Sequence, residues 1–215
     1  MCGICGYVGE GTLLDLNAMA ERLVHRSPDD SGFWQGGRSG QAVGFGFRRL
    51  VVLDRDGGQQ PMVSVDGKVV LVFNGEIYNH RELRSRLTHA NHCFRSDHSD
   101  TEILLHAYRE WGEAFVDHVR GMYAFAIWDL DSHSLIAGTD PFGKKPLYYT
   151  VGPQGFAFSS ELASLLAHSS VSSTIERSAI ARFFAFGYVP APDTPIAGVQ
   201  KLGAGRILKY DADSG

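Results

Sequence analysis

The sequence predicts an α+β layered fold. Short apolar runs recur along the chain, several are joined as hairpins, and only a few stretches repeat with a helical period. The 215 residues, 44% hydrophobic and 20% charged, suffice for one large domain or at most two small ones. With a net charge of only −4, that apolar fraction excludes disorder as the main state. Gly is in surplus, with 25 residues or roughly 12% against an average of about 7%. These glycines follow no collagen-like period, so they mark turns and close backbone approaches.

Residues 4–8 read as a strand at the N-terminus. Leu16, Met19, Ala20, Leu23 and Val24 recur at helical spacing, and Ser27-Pro28 ends that helix. Residues 42–47 and 69–73 read as strands, and Leu83 and Leu87 share one face of a short helix after Asn79. The clearest helix is Asp100–Trp111. Ser99 caps it, Glu102 completes an S-x-x-E capping box, and Gly112 closes it. Its apolar stripe is Ile103, Leu104, Ala107, Tyr108 and Trp111. Residues 123–129 and 135–139 form a hairpin, and 147–150 with Gly155–Ser159 form another. Residues 161–166 make a short helix. Arg177–Phe186 makes the last one, with Ile180, Phe183 and Phe184 expected inward. Three Pro between Val189 and Pro195 mark an extended arm. The expected division is a domain over 1–188 and an arm or linker over 189–215.

Composition narrows the function. A pI near 6.1 implies no basic face, so nucleic acid is not an expected partner. The longest apolar runs, 69–73 and 122–128, are too short to span a bilayer, and no secretory signal opens the chain. Three Cys, an odd number, do not make a disulfide framework. A cytoplasmic protein with reduced thiols is expected.

Cys2 carries the chemistry. Removal of Met1 would leave a thiol and a free α-amino group in one residue. Their reference pKa values, about 8.5 and about 7.7–8.0, are close enough for the amine to take the thiol proton. Two other readings stand beside this one: a small buried residue of the first strand, and a Cys2-x-x-Cys5 redox or metal pair.

Six strings in order favour the nucleophile. Met1-Cys2-Gly3-Ile4-Cys5-Gly6 resembles the start of class II glutamine amidotransferases, whose nucleophile is the N-terminal residue. Phe47-Arg48-Arg49-Leu50, Asp54 and Gln59-Gln60-Pro61-Met62 resemble the glutamine-site segment of the asparagine synthetase family. So do Asn74-Gly75-Glu76-Ile77-Tyr78-Asn79-His80 and Ser99-Asp100-Thr101-Glu102. Arg120-Gly121-Met122-Tyr123-Ala124-Phe125-Ala126 and the string from Asp140 to Tyr149 continue the likeness, which covers essentially residues 1–210.

The resemblance implies a four-layer αββα sandwich of two mainly antiparallel sheets, of the N-terminal nucleophile hydrolase type. It implies hydrolysis of L-glutamine to glutamate and ammonia through a γ-glutamyl thioester on Cys2. Arg49 is implied to hold the α-carboxylate with its planar fork. Asp100 is implied to hold the α-ammonium with help from Gly75 and Glu76, while it also stabilises the start of its helix. The backbone of Leu50, Val51, Val52 and Leu53 resembles the strand lining the family's pocket. The Asn74 amide and the Gly75 N–H resemble its oxyanion hole. The ammonia is implied to serve ATP-dependent asparagine synthesis from aspartate in a synthetase domain in cis. No S-G-G-x-D-S loop or G-x4-G-K-[ST] loop occurs here. No cofactor is therefore expected in this chain, and ATP and Mg are expected only in that absent domain. A homodimer is compatible with the resemblance, and no membrane partner is expected.

Two positions depart from the family pattern. Ser27 stands where Gly is usual, which predicts a shifted or strained loop. Ala163 stands where Lys is common. His89, His92, Cys93 and His98 crowd one segment, but the expectation is a solvated loop and no metal site. Two further readings remain open: a non-catalytic scaffold of the same fold, and a glutaminase domain serving another acceptor carboxylate.

Overall fold

The computed structural model describes residues 2–38, 41–49 and 58–214. Among these, eleven strands form two sheets, and their pairings are all antiparallel. The first sheet holds β1 (Gly3–Gly9), β2 (Asp30–Arg38), β3 (Gln41–Arg49), β8 (Tyr148–Gly152), β9 (Gly155–Ser159) and β10 (Val199–Lys201). The second holds β4 (Met62–Val63), β5 (Val69–Ile77), β6 (Gly121–Asp129), β7 (Ser134–Thr139) and β11 (Ile207–Asp211). The helices are α1 (Leu13–Glu21), α2 (His80–His89), α3 (Asp100–Trp111), α4 (Leu162–Leu165) and α5 (Arg177–Phe186).

Alternation along the strands builds the layers. Ile4, Val8, Val43, Phe45 and Phe47 meet Val70, Val72, Ala124 and Trp128 in a core between the sheets. The opposite face of the first sheet packs Cys5 and Tyr7 on Leu16, Met19 and Leu165 of α1 and α4. The outer face of the second sheet packs Leu71 and Phe73 on Leu83 and Leu87 of α2 and Ile103 and Leu104 of α3. The result is the αββα order. Among the described residues, no helix is long and apolar enough to cross a membrane.

Several sequence expectations change. β2 was not anticipated, because it lies at the edge of its sheet and is largely exposed, with little apolar alternation. β5 continues beyond Phe73 to Ile77. α1 begins with a capping box formed by Thr12 and Asp15. The box expected at α3 is only half present. Ser99 Oγ accepts from Glu102 N, but the Glu102 carboxylate instead accepts from Arg95 N, Ser96 N and Ser96 Oγ. Residues assigned to the arm supply β10 and β11, which pair with β8 and β7. The largest reversal is at α5. Ile180, Phe183 and Phe184 were expected inward, yet Phe184 is 82% and Phe183 48% exposed, and only Ala179 of that helix is buried.

Candidate active site

Cys2 stands at the entrance of β1, a central strand flanked by β9 and β3. It shares the parity of Ile4 and Val8 and packs against the core between the sheets. Cys5 has the other parity. It is buried towards α1, its Sγ–H donates to Gly46 O at 3.7 Å, and burial pushes its thiol up to about 12. The two thiols therefore leave opposite faces of one strand, which rules out a Cys2–Cys5 chelate or disulfide in this fold.

The strand start is clamped on both sides. Ile4 N donates to Ser160 Oγ at 3.0 Å, and Ile4 O accepts from Ser160 N at 2.9 Å. Arg26 Nε donates to Cys2 O at 3.1 Å, while Arg26 Nη1 pairs with Glu161 at 2.8 Å. Nothing in the sequence assigned Arg26 and Glu161 a site role, although they lie beside the two departing positions, Ser27 and Ala163. Ser27 is fully buried and avoids the left-handed region, so its Cβ brings no backbone strain there. Ala163 is exposed on α4.

Arg49 lies where the β1–β3 register leads. Gly3 pairs with Arg48, which brings Arg49 beside Cys2 on the next rung. Arg49 is 6% exposed and keeps the parity of Val43, Phe45 and Phe47, so it belongs to the layer between the sheets. Gly58 presses on its guanidinium, and a Cβ there would lie 2.7 Å from Arg49 Nη2. Arg48 faces the other way, donating to Ala20 O and pairing with Glu21.

Asn74 comes from the facing sheet. It pairs with Ala124 and continues the row Val70, Val72 into the same layer. Its side chain is buried, and Nδ2 has no hydrogen-bond partner among the described residues. Buried donors are rarely left so, because an unmet one costs about 1–3 kcal/mol.

Gly75 follows with an open edge. Tyr123, its partner across the ladder, directs both N–H and C=O to Asp140, so Gly75 turns its own N–H away from β6. On that side Phe73 N donates to Gln60 Oε1 at 2.6 Å, and Ile77 N donates to Asp100 Oδ2 at 3.2 Å. The Gly75 N–H points the same way, between them. Only Gly fits here, since a Cβ would lie 2.2 Å from Met122 O.

Asp100 opens α3. Burial pushes its carboxyl above the usual range, against the hydrogen bonds from Ile77 N and its own helix start. Among the described residues it has no salt-bridge partner. Glu76 is exposed beside it. The site thus gathers a thiol, a buried guanidinium, an unpaired amide donor, an open backbone N–H and a desolvated carboxylate. Leu50, Val51, Val52 and Leu53 lie outside the described residues.

Sequence comparison gives the family of the chain. A family described as "Glutamine amidotransferase domain" matches residues 1–215. The chain belongs to that family. Among its relatives, asparagine synthetase [glutamine-hydrolyzing] 3 of Bacillus subtilis (strain 168) is 37% identical over 221 residues. The corresponding enzyme 1 of the same organism is 39% identical over 223 residues. Both alignments take in 99% of this chain but only 35% and 34% of the relatives, so the chain spans about a third of their length. Two solved structures share the fold. Glutamine phosphoribosylpyrophosphate amidotransferase from B. subtilis has a TM-score of 0.65 at 17% identity, covering 100% of this chain and 50% of that one. The allosteric regulatory enzyme of purine biosynthesis has a TM-score of 0.65 at 20% identity, covering 77% and 43%. These likenesses carry the N-terminal nucleophile hydrolase fold.

Other strings of this amidotransferase domain prove architectural. Asp140 is fully buried and accepts from Tyr123 N, Phe142 N, Lys144 N and Lys145 N, which fixes β6 behind Gly75. Asn79 bridges His118 O and Arg120 N. In the histidine segment His89, Cys93 and His98 are exposed as expected, and only His92 is half-buried. His92 Nδ1 lies 3.0 Å from His106 Nδ1, and its Nε2 lies 2.9 Å from Glu110. Among the described residues, no group of three or more His, Cys, Asp or Glu could hold a metal ion.

Proposed function

We propose that this domain hydrolyses L-glutamine with Cys2 as nucleophile. The observation that carries the reading is the buried, unpaired Asn74 Nδ2 beside the outward-turned Gly75 N–H. Two donors with no partner among the described residues, at one end of a core, are what a developing oxyanion requires.

Once Met1 is removed, the Cys2 α-amine takes the thiol proton. The thiolate attacks the side-chain carbonyl of glutamine, and the negative charge moves onto its oxygen, held by Asn74 Nδ2 and Gly75 N–H. As the C–N bond breaks, the α-ammonium returns the proton to the leaving nitrogen and ammonia departs. Water, deprotonated by the same amine, then attacks the γ-glutamyl thioester and releases glutamate and the thiol. The cycle balances with glutamine and water alone, so no cofactor is assigned to this chain. Arg49 holds the α-carboxylate and Asp100 the α-ammonium, and backbone at 50–53 lines the pocket. Arg26 fixes the carbonyl of the nucleophile.

In the longer protein that the relatives represent, the ammonia feeds ATP-dependent synthesis of asparagine from aspartate in a following domain, where ATP and Mg belong. The proposed setting is the cytoplasm, with a homodimer as the proposed assembly. The test is glutamate release by purified protein whose mass shows Met1 removed. Cys2→Ala is expected to abolish release and leave the melting curve in place. Glutamate release persisting in that variant would overturn the mechanism, and so would full activity with Met1 retained.

A further inference from the structure

One side chain ties the anchors of the site together without reaching the reacting atoms. We infer that Gln60 is a positioning residue for the glutaminase reaction, setting the distance between the Gly75 oxyanion donor and Asp100. This rests on the glutamine reading of the site.

Gln60 is nearly buried, and both ends of its carboxamide are engaged. Oε1 accepts from Phe73 N at 2.6 Å, and Nε2 donates to Thr101 Oγ1 at 3.1 Å. β4 pairs with β5 only at Val70 and Leu71. Beyond them the edge of β5 has side chains in place of a neighbouring strand. Gln60 takes the donor at Phe73 and Asp100 the donor at Ile77, and among the described residues none takes the Gly75 donor between them. Thr101, the other partner of Gln60, directly follows Asp100 at the start of α3.

The backbone of the same segment reaches the other sheet. A Cβ at Gly32 would lie 1.7 Å from Gln60 O, and Gly58 rests on the Arg49 guanidinium. Residues 58–60 thus link the carboxylate anchor, the oxyanion edge and the ammonium anchor. Loss of the carboxamide leaves Phe73 N–H and the Thr101 hydroxyl unpaired, and frees the β5 edge and α3 to move apart. Displacements of about 1 Å are enough to cost up to about a hundredfold in rate.

Gln60→Glu separates positioning from mere stability. The new carboxylate still accepts from Phe73 N and accepts from the Thr101 hydroxyl, so the geometry is kept. It also brings a negative charge beside Asp100, whose protonation then sets in at higher pH.

The experiment measures kcat and KM for L-glutamine from about pH 5 to about pH 9, together with melting curves and iodoacetamide labelling of Cys2. Gln60→Leu is expected to lower kcat/KM by at least about tenfold, through a lower kcat from the displaced Gly75 donor as well as a higher KM, with Cys2 labelling unchanged. Gln60→Glu is expected to recover most of that loss above about pH 8, and to fail on the acid side at higher pH than the parent. Thr101→Val, which keeps the Phe73 bond, is expected to raise KM several-fold and carries the test should Gln60→Leu not fold. Parent-like kinetics in a folded Gln60→Leu, or in Thr101→Val, would overturn the inference. So would a Gln60→Glu variant as impaired as Gln60→Leu at every pH. A parent chain that is processed and folded yet releases no glutamate overturns the glutaminase reading itself, a separate result.

Discussion

Replacing Asn74 by Ala should move activity and stability independently. The Nδ2 group is buried and unpaired, so the parent fold carries an unmet donor worth about 1–3 kcal/mol. Removing it relieves that cost. Loss of the carboxamide's packing between Val72 and the inter-sheet core costs a similar amount, about 1–2 kcal/mol. The two nearly cancel. At about 2–4 °C per kcal/mol for a chain of this size, the melting temperature should stay within a few degrees of the parent. Activity should not, because losing one oxyanion donor costs about 10²–10³ in kcat, or about 2.7–4 kcal/mol. Glutamate release at saturating glutamine reads the first quantity, and scanning calorimetry the second. A variant that melts far below the parent while turning over glutamine normally would refute the reasoning. Asn74 would then be a structural residue whose donor is satisfied in solution.

Three further outcomes are expected. On the proposed reading, glutamine binding needs the charged form of Asp100, whose carboxyl is held above its usual range by burial. Binding should therefore weaken as pH falls through that raised value, at higher pH than an ordinary Asp would show, and a KM–pH profile that Asp100→Asn flattens would check it. Gly75→Ala should destabilise the domain by more than about 2 kcal/mol and also impair turnover, because its Cβ meets Met122 O; denaturant titration measures this. Near neutral pH, iodoacetamide should modify Cys2 and the exposed Cys93 but spare Cys5, which is buried and protonated. Peptide mapping with and without glutamine should show protection at Cys2 alone.

The sequence exposed some parts of this molecule clearly. α3 was legible end to end, because Ser99, an apolar stripe and Gly112 agree on one helix. The site residues were legible as residue types in ordered strings, and strand parity explains how they meet. Cys2 comes just before the core-facing Ile4 and Val8 of β1, whereas Arg49 and Asn74 follow the apolar core-facing rows Val43, Phe45, Phe47 and Val70, Val72. What was not legible is non-local. Gln60 and Thr101 are 41 residues apart, and Arg26 reaches Cys2 across 24. No local pattern records such bonds. The capping box at α3 failed for a related reason: the chain at Arg95 and Ser96 competes for the Glu102 carboxylate. β2 escaped notice because an exposed edge strand has no apolar period to read, and β10 and β11 because a Pro-rich stretch precedes them.

α5 bears on how the protein behaves in solution. Phe183, Phe184, Phe186 and Tyr188 present neighbouring rings to water, Phe183 to Phe184 at 5.9 Å and Phe186 to Tyr188 at 6.5 Å. Attraction between such surfaces strengthens on warming near room temperature, because it is driven by released water rather than by enthalpy. The 215-residue chain on its own is therefore stickier when warm than when cold. This cluster lies far in sequence from Cys2, so a substitution such as Phe184→Ser would change that stickiness without touching the candidate site.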